Sequence, residues 1–353
     1  MIPNDLARRV GEWLRGGGPH SEIVISSRVR LARNLALHRF PARMDEAEAA
    51  LVEAHCREAI LATGEVEPPM YLPLHEMPEL DRRFLVERHL ISREHETGTL
   101  PRAIAIGRGE VLSVMVNEED HLRLQVLQSG FRLAEAAALA DAFDSGLEEK
   151  LGYAFDARFG YLTACPTNVG TGMRVSVMLH LPALVITRHI EKVFQAVSKI
   201  SLAVRGLYGE GTEASGHFYQ ISNQASLGKS ESQLVRDLEA VIPQIVRYER
   251  SARTTLLAKD RHRLEDRIWR AYGMLRHARI LTSEEILTLL SAIRMGLHLG
   301  VLPEISLSDV NELTVFTQPA HLQKIEGREL SANERDLARA KFVREKLGEN
   351  GNA

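Results

Sequence analysis

The stretch Val-Leu-Ser-Val-Met-Val-Asn-Glu-Glu-Asp-His-Leu-Arg, residues 111–123, joins a short β-like run to a dense group of charged side chains. Its first six residues are mostly apolar and rich in Val, which is typical of a buried strand. Similar runs recur at residues 23–26, 102–107, 161–165, 174–180, 201–209 and 217–222. Helical patterns near 131–150 and 188–200 separate some of these runs. This grouping predicts an α+β fold, a sheet with helices on one side.

Outside this central part the pattern is helical. An opening helix is expected to end at the glycines and proline of residues 16–19, and residues 45–61 carry helical periodicity. From Ser230 onward almost every segment reads as helix, and three pairs have capping-box spacing: Ser230 and Gln233, Thr282 and Glu285, Ser331 and Glu334. The charged stretch 258–267 is the predicted boundary. We therefore predict two domains, 1–257 and an all-helical 258–353.

The composition is that of an ordinary globular protein. The chain has 353 residues, 44% hydrophobic and 26% charged, with a formal net charge of −3. These values exclude collagen-like, wholly disordered and disulfide-scaffold proteins, and they argue against nucleic acid or an anionic membrane as the main partner. Cys56 and Cys165 form no CxxC pair, so no disulfide framework or zinc site is expected. Without a signal-peptide core or a run of ~20 apolar residues, a cytoplasmic location is expected.

Common nucleotide-binding motifs are missing from the sequence. It has no GxxxxGK[ST] P-loop, no strand-linked GxGxxG and no HRD or DFG signature. Charged groups stand instead where strands end, in residues 26–30, 117–123 and 165–174 and at Arg205. Arg28 and Arg30 alternate on a strand and therefore share a face, where two guanidinium groups repel unless an anion lies between them. Each segment alone is typical of a solvated strand end, but together they favour an anion site.

A glycine-rich segment follows Arg205. Residues 206–216 contain four glycines, more than a simple turn requires. By itself the segment is compatible with a linker or with a mobile active-site loop.

The order of these segments resembles a known family. ISSRVRLARN at 25–34, VNEEDHLR at 116–123, CPTNVGTGMR at 165–174, and RGLYGEG at 205–211 followed by ISNQ resemble the signatures of the phosphagen (guanidino) kinases. The match covers roughly residues 20–255 and implies an antiparallel sheet flanked by helices, like that of guanidino kinases and glutamine synthetase. Only about twenty residues precede the first motif, where those enzymes carry a helical domain. This arrangement resembles the branch that phosphorylates arginine side chains in proteins, the bacterial protein-arginine kinases.

The resemblance implies ATP and Mg²⁺ as cofactors, with no metal site built from the protein's own side chains. The family's phosphate-binding arginines fall on Arg28, Arg30, Arg123, Arg174 and Arg205, and its nucleotide-side histidine falls on His89. Phosphoryl transfer depends mainly on positioning and electrostatics, so converging positive charge is what a triphosphate requires.

The resemblance also implies the catalytic residues Glu119, Glu210 and Cys165. An arginine acceptor has a pKa above ~12, so removing its proton at neutral pH costs about 7 kcal/mol. Two carboxylates, Glu119 and Glu210, would grip the guanidinium, and one would take its proton as the N–P bond forms. Cys165 would lie beside the guanidinium as a thiolate. Tyr208 stands where many relatives have a further phosphate-binding arginine.

Near the C-terminus, Arg335 and Arg339 lie one helical turn apart with Asp336 between them. By spacing alone this is typical of a solvated, salt-bridged helix. The RDxxRA string nevertheless resembles the phosphoarginine-binding motif of the protein-arginine kinases, which implies a site at Arg335, Asp336, Arg339 and Ala340.

The same resemblance implies a homodimer, activation by phosphoarginine, an activator protein that binds zinc, and arginine-containing protein substrates. The substrates would include a heat-shock repressor and proteins delivered to a Clp-type unfoldase and protease. Two alternatives remain open: a kinase for a free guanidino metabolite, and a catalytically inactive adaptor that only binds phosphoarginine.

Overall fold

The computed structural model describes residues 4–63, 69–206, 215–302 and 305–349. Its centre is an eight-stranded antiparallel sheet with strand order β2-β3-β4-β5-β1-β8-β10-β9. In chain order the strands are β1 (Val24–Arg33), β2 (Met70–Pro73), β3 (Ala103–Ile106), β4 (Leu112–Val116), β5 (Leu122–Ser129), β6 (Phe155–Asp156), β7 (Gly160–Tyr161), β8 (Met173–His180), β9 (Leu202–Gly206) and β10 (Phe218–Asn223), of which β6 and β7 form a separate hairpin. The predicted α+β class with an antiparallel sheet is confirmed.

Period-two alternation gives the central strands two different faces. On β1 the buried Val29 and Leu31 lie opposite Val175 and Met173 of β8, and they belong to a core shared with the helices of one face. The helices of the N-terminal part are α1 (Glu46–Thr63), α2 (Glu79–Glu87), α3 (Arg93–Thr97), α4 (Leu133–Glu148), α5 (Pro182–Ile186), α6 (Ile190–Ser198) and α7 (Glu231–Lys259). Because α1, α4 and α7 supply buried residues to this core, Arg28 and Arg30 of β1 are left on the opposite face.

Several segments depart from the sequence prediction. Residues 161–165 were expected to form a strand, but only Gly160–Tyr161 is strand. The opening helix is a pair of 3₁₀ turns, Asn4–Arg8 and Glu12–Leu14. β5, which begins directly after a charged turn, was not predicted, although polar Arg123 and Gln125 alternate with apolar Leu124 and Val126 as in a half-buried strand.

The C-terminal part is helical, with α8 (Arg261–His277), α9 (Ser283–His298), α10 (Leu307–Phe316), α11 (Pro319–Glu326) and α12 (Ala332–Glu349). Ser230 and Thr282 cap α7 and α9 as their spacing predicted, each accepting a backbone N–H three residues on. α7 ends at Lys259 and α8 begins at Arg261, inside the charged stretch that predicted the boundary. Among the described residues, no helix combines the length and apolar character needed to cross a membrane.

The helical part also packs against the sheet. Val315 and Phe316 of α10 share an apolar cluster with Trp13, Leu14 and residues of three strands: Ile25, Leu127 and Phe218. Ile25 lies three positions before Arg28 on β1, and Leu127 of β5 lies directly opposite Arg28. The C-terminal helices therefore cover one end of the sheet face that α1 and α4 leave open.

A buried ion pair fastens β1 to α4. Arg33, 1% exposed, donates to Asp144 through Nε at 2.9 Å and Nη2 at 2.6 Å, and its Nη1 donates to the carbonyls of Ala32 and Thr171. Its guanidinium also stacks on the Tyr161 ring, 3.6 Å from the centroid. The pair connects the end of β1 to a helix and to the β6–β7 hairpin.

We expect Asp144→Ala to destabilise the fold by about 3–5 kcal/mol, because it leaves the buried Arg33 charge with only the more distant carboxylate of Glu231, at 3.7 Å. Urea unfolding followed by circular dichroism measures the change. Asp141→Ala, an exposed position on the same helix, is the matched control and should change stability by less than about 0.5 kcal/mol. Equal losses for the two variants would contradict this role of Asp144.

Candidate active site

Strand register brings the predicted arginines of the three central strands to one face of the sheet. Residues directly opposite in an antiparallel pair lie on the same side. Arg30 of β1 lies opposite Arg174 of β8, and Ala32 lies opposite Arg123 of β5. Arg28 and Arg30 share this face by alternation, as the sequence predicted. Helices α1, α4 and α7 occupy the other face.

Arg205 joins the same face through β10. Gln220 of β10 lies opposite both Met178 of β8 and Arg205 of β9, and Met178 lies opposite Ser26 of β1. Ser26 lies two positions before Arg28 on β1, so Arg205 and Arg28 are on the same face of the sheet. All five arginines predicted to bind phosphate therefore project from one side of the sheet.

Arg28 and Arg30 are crowded by positive charge. Arg28 donates to Gln220 Oε1 at 2.6 Å and to Ser176 Oγ at 3.3 Å. Burial, then Arg123 and Arg174, lowers the pKa of Arg28 to about 10. The same causes, with Arg28 added, hold the pKa of Arg30 well below its ordinary value. The Nε of Arg30 is buried without a hydrogen-bond partner among the described residues. This pair fits an anionic ligand.

Arg174 extends the positive face toward β9. Its Nη2 donates to Ser222 Oγ at 3.0 Å, while its buried Nε has no partner in the described part of the chain. Burial, then Arg205 and Arg123, lowers the pKa of Arg174, and Cys165 opposes the shift. Arg30 and Arg174 thus each keep a buried N–H group without a partner among the described residues, which favours a ligand with acceptor oxygens, such as a triphosphate, at this face.

The acidic turn at 117–121 holds its carboxylates in different environments. Glu118 accepts from Arg123 Nη1 at 2.6 Å and from Ser92 Oγ at 2.6 Å. Burial opposes ionisation, but Arg123 and these hydrogen bonds lower the pKa of Glu118 to about 2. Asn117 reverses the chain at φ 58° and donates to the carbonyls of Ala49 and Pro101. Glu118 therefore holds the Arg123 side chain in place.

Glu119 is the exposed carboxylate of this turn, and no hydrogen bond or ion pair joins its side chain to another described residue. Burial of part of its surface, then the charges of Asp120 and Glu118, raises its pKa above the ordinary value. Among the acids of the motif, Glu119 is thus the one whose carboxylate has no partner among the described residues; its catalytic role, which the family resemblance implies, stays a prediction.

Asp120 joins the acidic turn to the segment that carries Cys165. Its Oδ1 accepts from the backbone N of Ala164 at 2.6 Å and from Asn34 Nδ2 at 2.6 Å. Cys165, partly exposed, lies within 3.1 Å of Thr167 Oγ1 through its Sγ. The carboxylate beside Glu119 therefore positions the residue before Cys165. Sequence reasoning missed this role of Asp120, although it lies within the motif.

Glu210, a predicted catalytic residue, and Tyr208, which stands where many relatives have an arginine, lie outside the described residues. Arg205, near the end of β9, is exposed and is the last predicted site residue before them. Their chain neighbours Gly206 and Ser215 belong to β9 and to a short 3₁₀ turn.

A cavity of about 220 Å³ adjoins Arg28. It is lined by His89, by the sheet residues Ile25, Ser26, Leu127, Ser176, Met178, Gly206, Phe218 and Gln220, and by Trp13, Leu14, Asn311, Thr314 and Val315 from the two ends of the chain. Burial, then Arg28, lowers the pKa of His89 to about 4, so its ring is neutral at pH 7. The structure places His89 beside the arginines, whereas nothing in the sequence pointed to Trp13 or Thr314.

The four residues of the C-terminal motif have unequal environments. Arg339, 1% exposed, donates to Thr317 O, Leu281 O and Ser283 Oγ at 2.7–2.8 Å and pairs with Asp336. Ala340 is fully buried in the helical core. Arg335 donates to Leu330 O and lines a separate cavity of about 420 Å³. Within the described residues, Arg339 is thus fixed by the fold while Arg335 faces an opening.

Comparison with known proteins identifies the family. Residues 51–252 match the ATP:guanido phosphotransferase C-terminal catalytic domain, and residues 261–353 match the protein-arginine kinase McsB C-terminal domain. A protein-arginine kinase of Symbiobacterium thermophilum is 48% identical over 98% of this chain and 99% of its own. The chain belongs to the protein-arginine kinase family. The protein-arginine kinase of Halalkalibacterium halodurans is 46% identical over 97% of this chain and 96% of its own.

Solved structures of guanidino kinases share the fold of this family member. A duplicated taurocyamine kinase from Schistosoma mansoni has a TM-score of 0.61 at 28% identity, over 69% of this chain and 35% of that one. A lombricine kinase has a TM-score of 0.58 at 26% identity, over 69% of this chain and 70% of that one. The protein is therefore a phosphotransferase of the ATP-using guanidino kinase type.

Proposed function

We propose that this protein transfers the γ-phosphoryl group of ATP to arginine side chains of other proteins. The observation that carries the proposal is the arrangement of five arginines on one sheet face, next to a turn where the Glu119 carboxylate has no partner among the described residues. Relatives of nearly the same length, 46–48% identical, carry the name protein-arginine kinase, whereas the taurocyamine kinase is 28% identical. These similarities favour a protein substrate over a free guanidino metabolite.

The arginines would bind the triphosphate before any bond changes. Arg28, Arg30 and Arg174 provide N–H donors in a partly buried setting, where interactions with charge are stronger than in water. Part of the charge on the ATP phosphates would be neutralised by Mg²⁺ bound to them. The arginines would then stabilise charge that develops on the transferred phosphoryl group.

Glu119 would orient the acceptor and receive its proton. The substrate guanidinium, positively charged at neutral pH, would donate to the Glu119 carboxylate. As the guanidine nitrogen bonds to the γ-phosphorus, the bond from that phosphorus to the bridging oxygen breaks, the proton passes to Glu119, and ADP departs. Glu210 as the second carboxylate and Cys165 as a thiolate beside the guanidinium remain part of the proposal. The Asp120 bond to Ala164 supports the placement of Cys165.

Direct detection of the product tests the function. The protein is incubated with Mg²⁺, labelled ATP and either an arginine-rich protein or free arginine, and acid-labile phosphate on arginine is measured by mass spectrometry at neutral pH. We expect label on the protein substrate. Turnover of free arginine alone would support the metabolite kinase, and binding of phosphoarginine without any transfer would support the inactive adaptor.

We further propose the wider role that the family resemblance implies. Modified proteins would pass to a Clp-type unfoldase and protease, a heat-shock repressor would be among the substrates, and a zinc-binding protein would act as activator. The enzyme would work as a homodimer in the cytoplasm; its two cysteines are free thiols, which is compatible with a reducing compartment.

Regulation by phosphoarginine at Arg335, Asp336, Arg339 and Ala340 belongs to the same proposal. A physical connection supports it: Arg339 Nε donates at 2.8 Å to the carbonyl of Thr317, the residue that caps the end of α10. Thr314 and Val315 of that helix line the cavity next to Arg28. A ligand that moves Arg339 would therefore act on a helix that touches the nucleotide side of the sheet.

We expect Arg335→Ala to lose most of the rate increase that added phosphoarginine causes. Within the part of the chain that the structure describes, Arg335 makes one hydrogen bond, to Leu330 O, so its loss should spare the fold, whereas Arg339→Ala would unpair buried groups. The measurement is the ratio of initial rates with and without phosphoarginine. Arg328→Ala, on the exposed surface nearby, serves as the control. An unchanged ratio for Arg335→Ala would remove this regulatory assignment.

A further inference from the structure

The hydroxyl of Ser291 on α9 joins two histidines at the ends of neighbouring strands. His180 is the last residue of β8, and His217 precedes β10, whose first residue, Phe218, lies opposite His180. Ser291 Oγ lies 2.9 Å from His180 Nε2 and 2.8 Å from His217 Nδ1. Both histidines belong to the part of the chain that matches the catalytic domain, whereas Ser291 belongs to the part that matches the C-terminal domain. The contact therefore joins the two domains.

The direction of these hydrogen bonds follows from a neighbouring arginine. Arg253 Nη2, which can only donate, lies 3.5 Å from His180 Nδ1, so this ring nitrogen is the acceptor. Burial, then Arg253, lowers the pKa of His180 well below its ordinary value, so the ring is neutral and carries its proton on Nε2. His180 thus donates to Ser291 Oγ, and the Ser291 hydroxyl donates to His217 Nδ1. Burial, then Arg267, lowers the pKa of His217 to about 4, so this ring is also neutral at pH 7.

The His180 side of this contact is buried and is fixed by α7. His180 and Ser291 are 0% and 1% exposed. Arg253 donates to the His180 carbonyl at 3.3 Å and pairs with Glu249 at 2.7 Å, and Glu249 accepts from the backbone N of Ala183 at 3.1 Å. Since α7 holds this side in place, the Ser291 hydroxyl connects a rigid network to His217.

The backbone around His217 also depends on α9. Gly216 and His217 have φ values of 69° and 60°. A Cβ on Gly216 would lie 3.0 Å from the carbonyl oxygen of Leu287, so this turn packs directly on the backbone of α9. A positive φ is unfavourable for histidine and persists where surrounding contacts hold it. The bond to Ser291 is one of these contacts.

Strand β10 connects His217 to the phosphate-binding arginines. Three residues after His217, Gln220 Oε1 accepts from Arg28 Nη2 at 2.6 Å. Two residues further on, Ser222 Oγ accepts from Arg174 Nη2 at 3.0 Å. A shift at the start of β10 would therefore first move the acceptor that orients Arg28.

We propose that Ser291 is a positioning residue for the phosphate-binding face. Through His217 it fixes the start of β10, and through Gln220 it orients Arg28. The proposal rests on the phosphotransferase function proposed above and adds a residue of the C-terminal helical part that acts on Arg28 through other residues of the chain.

A double-mutant cycle tests the proposal. The measurement is the Kd for ATP with Mg²⁺, obtained by equilibrium titration without an arginine acceptor. Ser291→Ala should raise this Kd by about fivefold, because Arg28 loses the contact that holds its partner strand in place. In Gln220→Ala protein, where Arg28 has already lost its acceptor, the same Ser291→Ala change should alter the Kd by less than about twofold. A general loss of stability would act equally in both backgrounds.

Thr288→Ala is the matched control on the same helix. Thr288 lies one turn before Ser291 on the exposed side of α9, and its hydroxyl donates to Glu284 O. Its removal should leave the Kd for ATP within about twofold of the parent value.

Variants at His217 provide a second measurement that keeps Ser291. His217→Asn retains an acceptor oxygen near the position of Nδ1, and asparagine tolerates a positive φ, so the Kd for ATP should stay close to the parent value. His217→Ala has no acceptor there and should raise the Kd about as much as Ser291→Ala.

Three results would overturn the proposal: an unchanged Kd in folded Ser291→Ala or Gln220→Ala protein, the same effect of Ser291→Ala in both backgrounds, or equal Kd values for the two His217 variants. Circular dichroism shows whether each variant is folded, and if Ser291→Ala is not, the His217 variants decide. Because no measurement uses an arginine acceptor, a protein that behaves as expected here but phosphorylates no arginine would contradict the proposed function alone.

Discussion

Arg30→Met is expected to lower kcat/KM by about 10³-fold or more without loss of stability. Arg30 lies at the centre of the positive face, opposite Arg174, with its Nε buried and unpartnered among the described residues. A single well-placed arginine contributes 10³–10⁵ to the rate of phosphoryl transfer. Initial rates of ADP release at several ATP concentrations measure the effect, and urea unfolding measures stability.

The stability of the ligand-free Arg30→Met protein should equal or exceed that of the parent. Burial and three neighbouring arginines lower the pKa of Arg30, so at neutral pH its charge favours the unfolded state. Arg33→Met is the control, three positions along the same strand, because Arg33 is paired with Asp144 on the helix side. It should lose stability instead. A large loss of stability in Arg30→Met would show that Arg30 supports the fold rather than a ligand.

The sequence predicted the parts of this site that depend on neighbours along the chain. Alternation on one strand placed Arg28 and Arg30 on the same face, and the register of β1 agrees. The family resemblance implied Glu119 as a catalytic carboxylate, and its side chain has no partner among the described residues. Only the inference about the two arginines rests on local geometry, which a period of two specifies.

Features that depend on contacts between residues far apart in the chain could not be predicted from the sequence. Asp120 is indistinguishable from Glu119 in sequence, and only its contact with Ala164, 44 positions away, shows that it positions a backbone segment. Thr314 carries no motif at all, and its place in the cavity follows from the packing of α10 on Trp13 and Phe218. β5 is different, because its alternation of Arg123 and Gln125 with apolar residues is the pattern of a half-buried strand, and this signal was present in the sequence but overlooked.

Glu119→Gln is expected to reduce the rate of phosphoryl transfer by about 10²–10⁴-fold, because an amide cannot take the proton from the acceptor guanidinium. The Kd for ATP should change little, since the arginines that would bind the phosphates are untouched. Single-turnover formation of phosphoarginine gives the rate, and equilibrium titration gives the Kd. An unchanged rate in Glu119→Gln would show that Glu119 is not the general base.

The pH dependence distinguishes proton transfer from a purely electrostatic role of Glu119. A base must be ionised to act, so the rate should fall as the pH drops through the Glu119 pKa, which burial, Asp120 and Glu118 raise above its ordinary value of 4.5. Asp120→Asn keeps an oxygen that can accept from Asn34 and Ala164 but removes one of the charges that raise this pKa. The acidic limb of ADP release should therefore move to lower pH in Asp120→Asn. If the pH at which the rate of ADP release falls is unchanged or higher in Asp120→Asn, the titrating group is not Glu119.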